Sequence, residues 1–191
     1  MLRSGNHETH GRRLRPECGR GLLLMATRLP INVLFLCTGN SARSVMAEAL
    51  LNVLSEGRFQ AFSAGSFPSG TVQPIAAELA RAFGYAAPLR SKSWDEFAGP
   101  DAPAIDIVIT VCDNAAGEVC PIWPGQPVTA HWGVPDPAGV EGPDVQRRSA
   151  FQSAWAMLRQ RVERLLALPL EALDRPALQR ALREIGQVES A

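Results

Sequence analysis

Four consecutive apolar residues, Val33, Leu34, Phe35 and Leu36, run directly into Cys37-Thr38-Gly39-Asn40-Ser41-Ala42-Arg43-Ser44. Met46, Ala49, Leu50, Val53 and Leu54 then recur at helical spacing until Gly57. A contiguous apolar run is a strand buried on both faces, and the spacing after it is an amphipathic helix closed by glycine. The chain is thereby committed to a strand, a tight loop and a helix, with Cys37 at the turn. Unpaired amides and the positive end of the helix dipole face whatever lies in such a loop. Both favour a thiolate over a thiol.

Arg43, six residues after Cys37, has the reach to fold over the loop and present a planar fork to a tetrahedral oxyanion. Gly39 and Asn40 tolerate the left-handed backbone that a nest of amides requires. An isolated cysteine is more often a small buried hydrophobe than a nucleophile; the complete Cys-x5-Arg-Ser spacing between a strand and a helix selects the nucleophile. No Gly-Lys-Ser/Thr follows the glycine, which argues against a nucleotide-binding loop of the Walker type.

The 191 residues, 46% of them hydrophobic, suffice for one sizeable core. Zero formal net charge gives no global field for nucleic acid or an anionic membrane. The cationic side chains are eighteen Arg and the single Lys92, a skew read here as compositional habit. The expected division is a leader or misassigned start at 1–28, a catalytic α/β domain at 29–168 and a C-terminal helical extension at 169–191. The leader holds Arg3, Arg12, Arg13, Arg15 and Arg20 without apolar periodicity and reads as disordered. Its apolar patch, 22–26, is shorter than the ~7–15 residues of a signal-peptide core, so a cytoplasmic location is expected. Met25 is an alternative start.

Further along, residues 59–64 read as a second strand. Thr71 reads as the cap of a helix carrying Ile75, Leu79, Ala82 and Phe83, closed by Gly84. Residues 87–90 read as a short strand and 93–97 as one helical turn. Ile107-Val108-Ile109-Thr110-Val111 is a β-branched strand that delivers Cys112 at its carboxyl end. Residues 113–125 read as a loop and 128–131 as a strand. A long helix is expected over 150–166, and a last one from Asp174 to a stop at Gly186. Alternating strands and helices imply a parallel, right-handed α/β sandwich. Ligands gather at the carboxyl ends of such strands, where Cys37 and Cys112 share one crevice.

Cys112 and Cys120 are separated by seven residues, several of them small. A static disulfide is improbable in a chain without an export signal, and Cys112, Cys120 and His131 lack the spacing of a zinc site. A redox role for this thiol pair is preferred. Asp136, between Pro135 and Pro137, is either a turn aspartate or a general acid at the mouth of the crevice.

With VLFLCTGNSARS, VITVC, the thiol at Cys120 and HWGVPDPAG in this order, the chain resembles the low-molecular-weight tyrosine phosphatase superfamily, and within it the thiol-linked arsenate reductases. The likeness covers about residues 30–168. It implies a three-layer sandwich around a four-stranded parallel sheet, and a reaction without metal or organic cofactor. By this likeness Cys37 attacks arsenate, for which phosphate is an analogue. Thr38, Gly39, Asn40, Ser41, Ala42 and Arg43 hold its oxygens, Ser44 stabilises the thiolate and Asp136 protonates the departing hydroxide. Cys112 then attacks Cys37, Cys120 attacks Cys112, and thioredoxin, or glutaredoxin with glutathione, resets the enzyme. Potassium-binding relatives imply ligands at Asn40, Glu48 and Ser63, but the acidic fourth partner falls near Trp94, so no metal is assigned. The alternative is a phosphatase acting on phosphomonoesters. Such enzymes place aromatic residues after the Asp-Pro pair, where this chain has Ala138 and Gly139.

Overall fold

The computed structural model describes residues 30–114, 123 and 125–188. Cys18, Met25 and Cys120, and the whole of the leader expected at 1–28, lie outside the described residues. Four parallel strands, β1 (Ile31–Cys37), β2 (Phe59–Gly65), β3 (Ile107–Thr110) and β4 (Val128–His131), form a sheet in the order β2-β1-β3-β4. The helices are α1 (Arg43–Leu54), α2 (Pro74–Ala82), α3 (Asp144–Leu166) and α4 (Arg175–Gln187), with 3-10 turns at Trp94–Phe97 and Leu170–Ala172.

The apolar run in β1 has its cause in this order. All seven of its residues are buried, because the strand is flanked on both edges and covered on both faces. Val33, Phe35 and Cys37 join one core with α1, α3 and α4, which contribute Met46 and Leu50, Phe151 and Leu158, and Leu178 and Leu182. Leu34 and Leu36 enter the opposite cluster with Val108, Phe97, Ile105 and Trp123. β4 lies at an edge, where Val128 and Ala130 are buried while Thr129 and His131 face solvent. Alternation therefore returns where coverage is one-sided.

Several sequence expectations shift. Residues 87–90 form no strand; Pro88 lacks a donor for a sheet ladder, and only Ser93 makes an isolated bridge, to Gly65. Thr71 is not a cap: α2 starts at Pro74, whose fixed φ suits a first helical position, with Gln73 preceding it. Helix α3 begins six residues before 150, because its first turn is exposed and carries no apolar period. That turn is held instead by Arg148, which bonds Asp144 at 2.6 Å and Glu78 of α2 at 3.0 Å. Asp113 and Asn114 are helical, and 115–122 of the expected loop lie outside the described residues. Asp174 does cap α4, accepting from the Ala177 amide, but Gly186 does not end it. A Cβ at Gly186 would collide with the His131 carbonyl and stand 2.9 Å from Trp132, so this glycine lets α4 lie against the end of β4. The Trp132 indole donates to the Leu182 carbonyl at 2.9 Å across the same contact.

Candidate active site

The chain passes from β1 to β2 on one side and then crosses to β3 on the other, so the strand order, though not the strand direction, reverses between β1 and β3. The carboxyl ends of those strands are where an open parallel sheet leaves a crevice. Cys37 ends β1, and Cys112 follows β3 by two residues. Both are buried and reduced. A cleft of about 260 Å³ opens there, lined by Cys37, Thr38, Gly39, Ser41, Ala42 and Arg43 of the loop together with Asn114 and Asp136.

Helix α1 begins without a side-chain cap, since Ala42 occupies the capping position. Its first amides are left available to an anion, as the dipole at that end favours. The loop wraps the sulfur: the Asn40 amide donates to Cys37 Sγ at 3.2 Å, and the Ser44 hydroxyl stands 2.9 Å from it. Asn40 is left-handed, with φ 43, and its Nδ2 donates to Ser44 Oγ at 2.9 Å. Ser44 thus has a donor on one side and the sulfur on the other. Cys112 Sγ lies 3.6 Å from Thr38 Oγ1, which brings the second thiol to the wall of the loop.

The back of the loop is built equally closely. The Phe67 and Ser69 amides donate to the carbonyls of Thr38 and Gly39, and the Gln73 amide to that of Ser41. Gly65 is needed at the end of β2 because a Cβ there would collide with the Thr38 carbonyl and approach the Asn40 amide to 3.0 Å.

Arg43 does not lie over an empty loop. It donates to the Val134 carbonyl at 3.0 Å and pairs with Asp136 at 3.1 Å. The other carboxylate oxygen of Asp136 accepts from the Ala138 amide at 3.1 Å. The aspartate is therefore both a turn residue and a wall of the cleft. Arg161, buried beneath, donates to the carbonyls of Trp132 and Gly133, so two arginines grip successive carbonyls of the segment that carries Asp136.

Burial pushes the Cys37 thiol up from its ordinary value; the Ser44 hydroxyl and amide pull it down, Cys112 adds to the rise, and Arg43 gives the weakest downward pull. The expected bias towards thiolate thus meets an opposing force. The packing that forms the cradle also removes water from the anion, and Arg43 is engaged with Asp136.

Cys37, Ser44, Cys112 and Asp136 are brought to one place together with the loop 38–43; Cys120 lies outside the described residues. Sequence reasoning missed Asn114, taken only as a small loop residue, although it stands two positions after the thiol that the strand delivers. His131 is turned to other work, with Nδ1 2.8 Å from Thr110 Oγ1 and Nε2 3.0 Å from Asp113. No helix among the described residues is long and apolar enough to cross a membrane.

Residues 32–179 match the family described as low molecular weight phosphotyrosine protein phosphatase. An arsenate reductase of Halalkalibacterium halodurans is 32% identical over 131 residues, covering 69% of this chain and 91% of the relative. The crystal structure of an arsenate reductase from Archaeoglobus fulgidus superposes with a TM-score of 0.56 at 29% identity, covering 71% of this chain and 99% of that one. An arsenate reductase solved in the phosphate-binding state gives a TM-score of 0.54 at 29% identity, covering 72% and 97%. The strand, the oxyanion loop and the acid-bearing turn belong together for a reason of descent: the chain is a member of the low molecular weight phosphotyrosine protein phosphatase family and a relative of its arsenate reductases.

Proposed function

We propose that the protein reduces arsenate to arsenite by thiol attack followed by a disulfide relay. The observation that carries this reading is that Cys37 and Cys112 stand at the ends of adjacent strands, with Cys112 Sγ 3.6 Å from Thr38 of the loop that lines the cleft together with Cys37 and Arg43. A phosphatase needs the first thiol and the arginine; it has no use for the second thiol. The named activity of the relatives supports the same choice.

In the proposed sequence, arsenate enters with its oxygens on the loop amides and on Arg43, which exchanges Asp136 for the anion. The Cys37 thiol gives up its proton to the Asp136 carboxylate that Arg43 has released, the sulfur attacks arsenic, a sulfur–arsenic bond forms, and the departing hydroxide takes that proton from Asp136 and leaves as water. Arg43 and the amides stabilise the charge that develops on the remaining oxygens. The Cys112 thiolate next attacks Cys37 Sγ. The sulfur–arsenic bond breaks with its electron pair going to arsenic, so As(V) becomes As(III), arsenite departs, and a Cys37–Cys112 disulfide remains. Cys120 then attacks Cys112 Sγ, returning Cys37 as a thiol and moving the disulfide to Cys112 and Cys120. An external dithiol reduces that disulfide by the same exchange chemistry. Thioredoxin, or glutaredoxin with glutathione, fills that role, with the reaction in the cytoplasm.

The test is NADPH consumption with arsenate, thioredoxin and thioredoxin reductase, with a parallel arm supplying glutaredoxin and glutathione. The wild-type protein should turn over in one arm, and Cys112→Ser and Cys120→Ser should not. Turnover surviving both substitutions contradicts the relay. Hydrolysis of phenyl phosphate without arsenate reduction would assign the site to a phosphatase.

A further inference from the structure

The one lysine of a chain with eighteen arginines lies under the oxyanion loop. Lys92 Nζ stands 3.4 Å from Glu48 Oε2 and 3.4 Å from Ser63 Oγ, and the Lys92 and Glu48 side chains are only 9% and 10% exposed. The ammonium meets Glu48 and Ser63, and Tyr85 completes the cluster from the far oxygen of Glu48. Glu48 is on α1, Ser63 on β2, and Tyr85 follows α2. Ser63 donates to Glu48 Oε2 at 2.5 Å, and the Tyr85 hydroxyl donates to Glu48 Oε1 at 3.0 Å. Burial and the Glu48 charge push the Tyr85 hydroxyl up, which keeps it a donor.

The same lysine is tied to the loop through its backbone. Its amide donates to Asn40 Oδ1 at 2.8 Å, and its carbonyl accepts from the Gly65 amide at 2.9 Å. Its neighbour Ser91 donates to the Gly39 carbonyl at 3.1 Å. Asn40 in turn donates to Ser44, whose hydroxyl meets the Cys37 sulfur. Three hydrogen bonds separate Lys92 from the nucleophile.

A buried carboxylate is costly unless a cation and further donors satisfy it. A compact ammonium with three rotatable donors fits between a carboxylate and a hydroxyl; a planar guanidinium presents its donors in a rigid fork. We propose that Lys92 is a positioning residue that serves the loop as a built-in monovalent cation. Its ammonium neutralises Glu48 and pins the segment 91–93 against α1 and β2. The pinned backbone holds Asn40 left-handed, and Asn40 holds Ser44 on the sulfur. The inference rests on Cys37 being the nucleophile.

The test uses Lys92→Ala, which leaves a space where the ammonium was, and Lys92→Met, whose uncharged chain fills it. Ionic strength is kept with choline chloride. Cys37 alkylation by iodoacetamide is followed against pH in a Cys18→Ser, Cys112→Ser, Cys120→Ser background, and arsenate reduction is followed with all cysteines present. Lys92→Ala should lower kcat about tenfold and move the alkylation midpoint to higher pH. Potassium or methylammonium chloride should restore both, and choline should not. Lys92→Met should show the loss without the rescue, which keeps the test alive if Lys92→Ala fails to fold. An unchanged midpoint in both variants, or a loss in Lys92→Ala that no small cation reverses, overturns the proposal. Rescue of alkylation in a protein that does not reduce arsenate would uphold the role of Lys92 and remove the arsenate reading alone.

Discussion

Two ion pairs flank the oxyanion loop, and they are built for opposite tasks. At the mouth, Arg43 meets Asp136 with the aspartate side chain half exposed at 50%; behind the loop, Lys92 meets Glu48 with both near one-tenth. The front pair borders water, so screening weakens it, and an entering anion offers Arg43 a better partner than one carboxylate oxygen. The rear pair is closed in and carries two further donors, from Ser63 and Tyr85. Breaking it strands a buried charge. In the proposed cycle one pair is a gate that must open in each turnover, and the other is a foundation that must not.

The comparison can be broken most severely at the gate. Arg43→Lys keeps the charge but replaces the fork with a point donor, and kcat/KM for arsenate should fall about a thousandfold. A loss of only a few-fold in steady-state kinetics would mean that the arginine serves the Val134 carbonyl and the turn more than the anion. Asp136→Asn should lower kcat about a hundredfold by removing the proton donor. The same substitution should tighten phosphate binding, read as competitive inhibition, because Arg43 no longer has a carboxylate to leave. Weaker phosphate binding in Asp136→Asn would show that the front pair orders the site and does not gate it.

Effects at the foundation should be smaller and should reach stability as well. Gly65→Ala forces a methyl against the Thr38 carbonyl; it should cost about 1–3 kcal/mol in denaturant unfolding and lower activity with it. Normal stability and normal kinetics in this variant would mean that the loop yields where the account needs it rigid. The smallest effect is expected at Ser44. Burial already pushes the Cys37 thiol up, so the sulfur keeps its proton to higher pH than an ordinary cysteine and alkylation rises with pH. The Ser44 hydroxyl is the largest pull in the other direction, and Ser44→Ala should move the alkylation midpoint further up. A midpoint that stays in place would remove Ser44 from control of the nucleophile.

The front of the site was far more legible in the sequence than the back. Cys37, Arg43 and the loop between them are contiguous, and strand and helix signals bracket them on either side. The parallel sheet was readable because burial on both faces erases alternation in β1 and leaves it in β4. Lys92, Glu48, Ser63 and Tyr85 carry no local pattern; Glu48 and Ser63 were placed together only by the resemblance to potassium-binding relatives. They meet only because β2 runs beside β1 and the segment after α2 returns under the loop, a tertiary fact that spacing does not encode. The lone lysine was a visible signal, set aside as compositional habit. Gly186 was read as a terminator, whereas it and Gly65 are each required by a close approach from a distant part of the chain. The exposed first turn of α3 was invisible for the converse reason, since no apolar residue in it faces the core.

The central claim is that Cys37 and Cys112 together supply the two electrons that reduce arsenic. Prereduced Cys120→Ser protein should be mixed with arsenate without any external reductant, the arsenite released measured, and the disulfide located by mass spectrometry of peptides. The account predicts about one arsenite per protein molecule and a Cys37–Cys112 disulfide, with neither formed by Cys112→Ser. Arsenite release from Cys112→Ser, or release from Cys120→Ser without that disulfide, would contradict it.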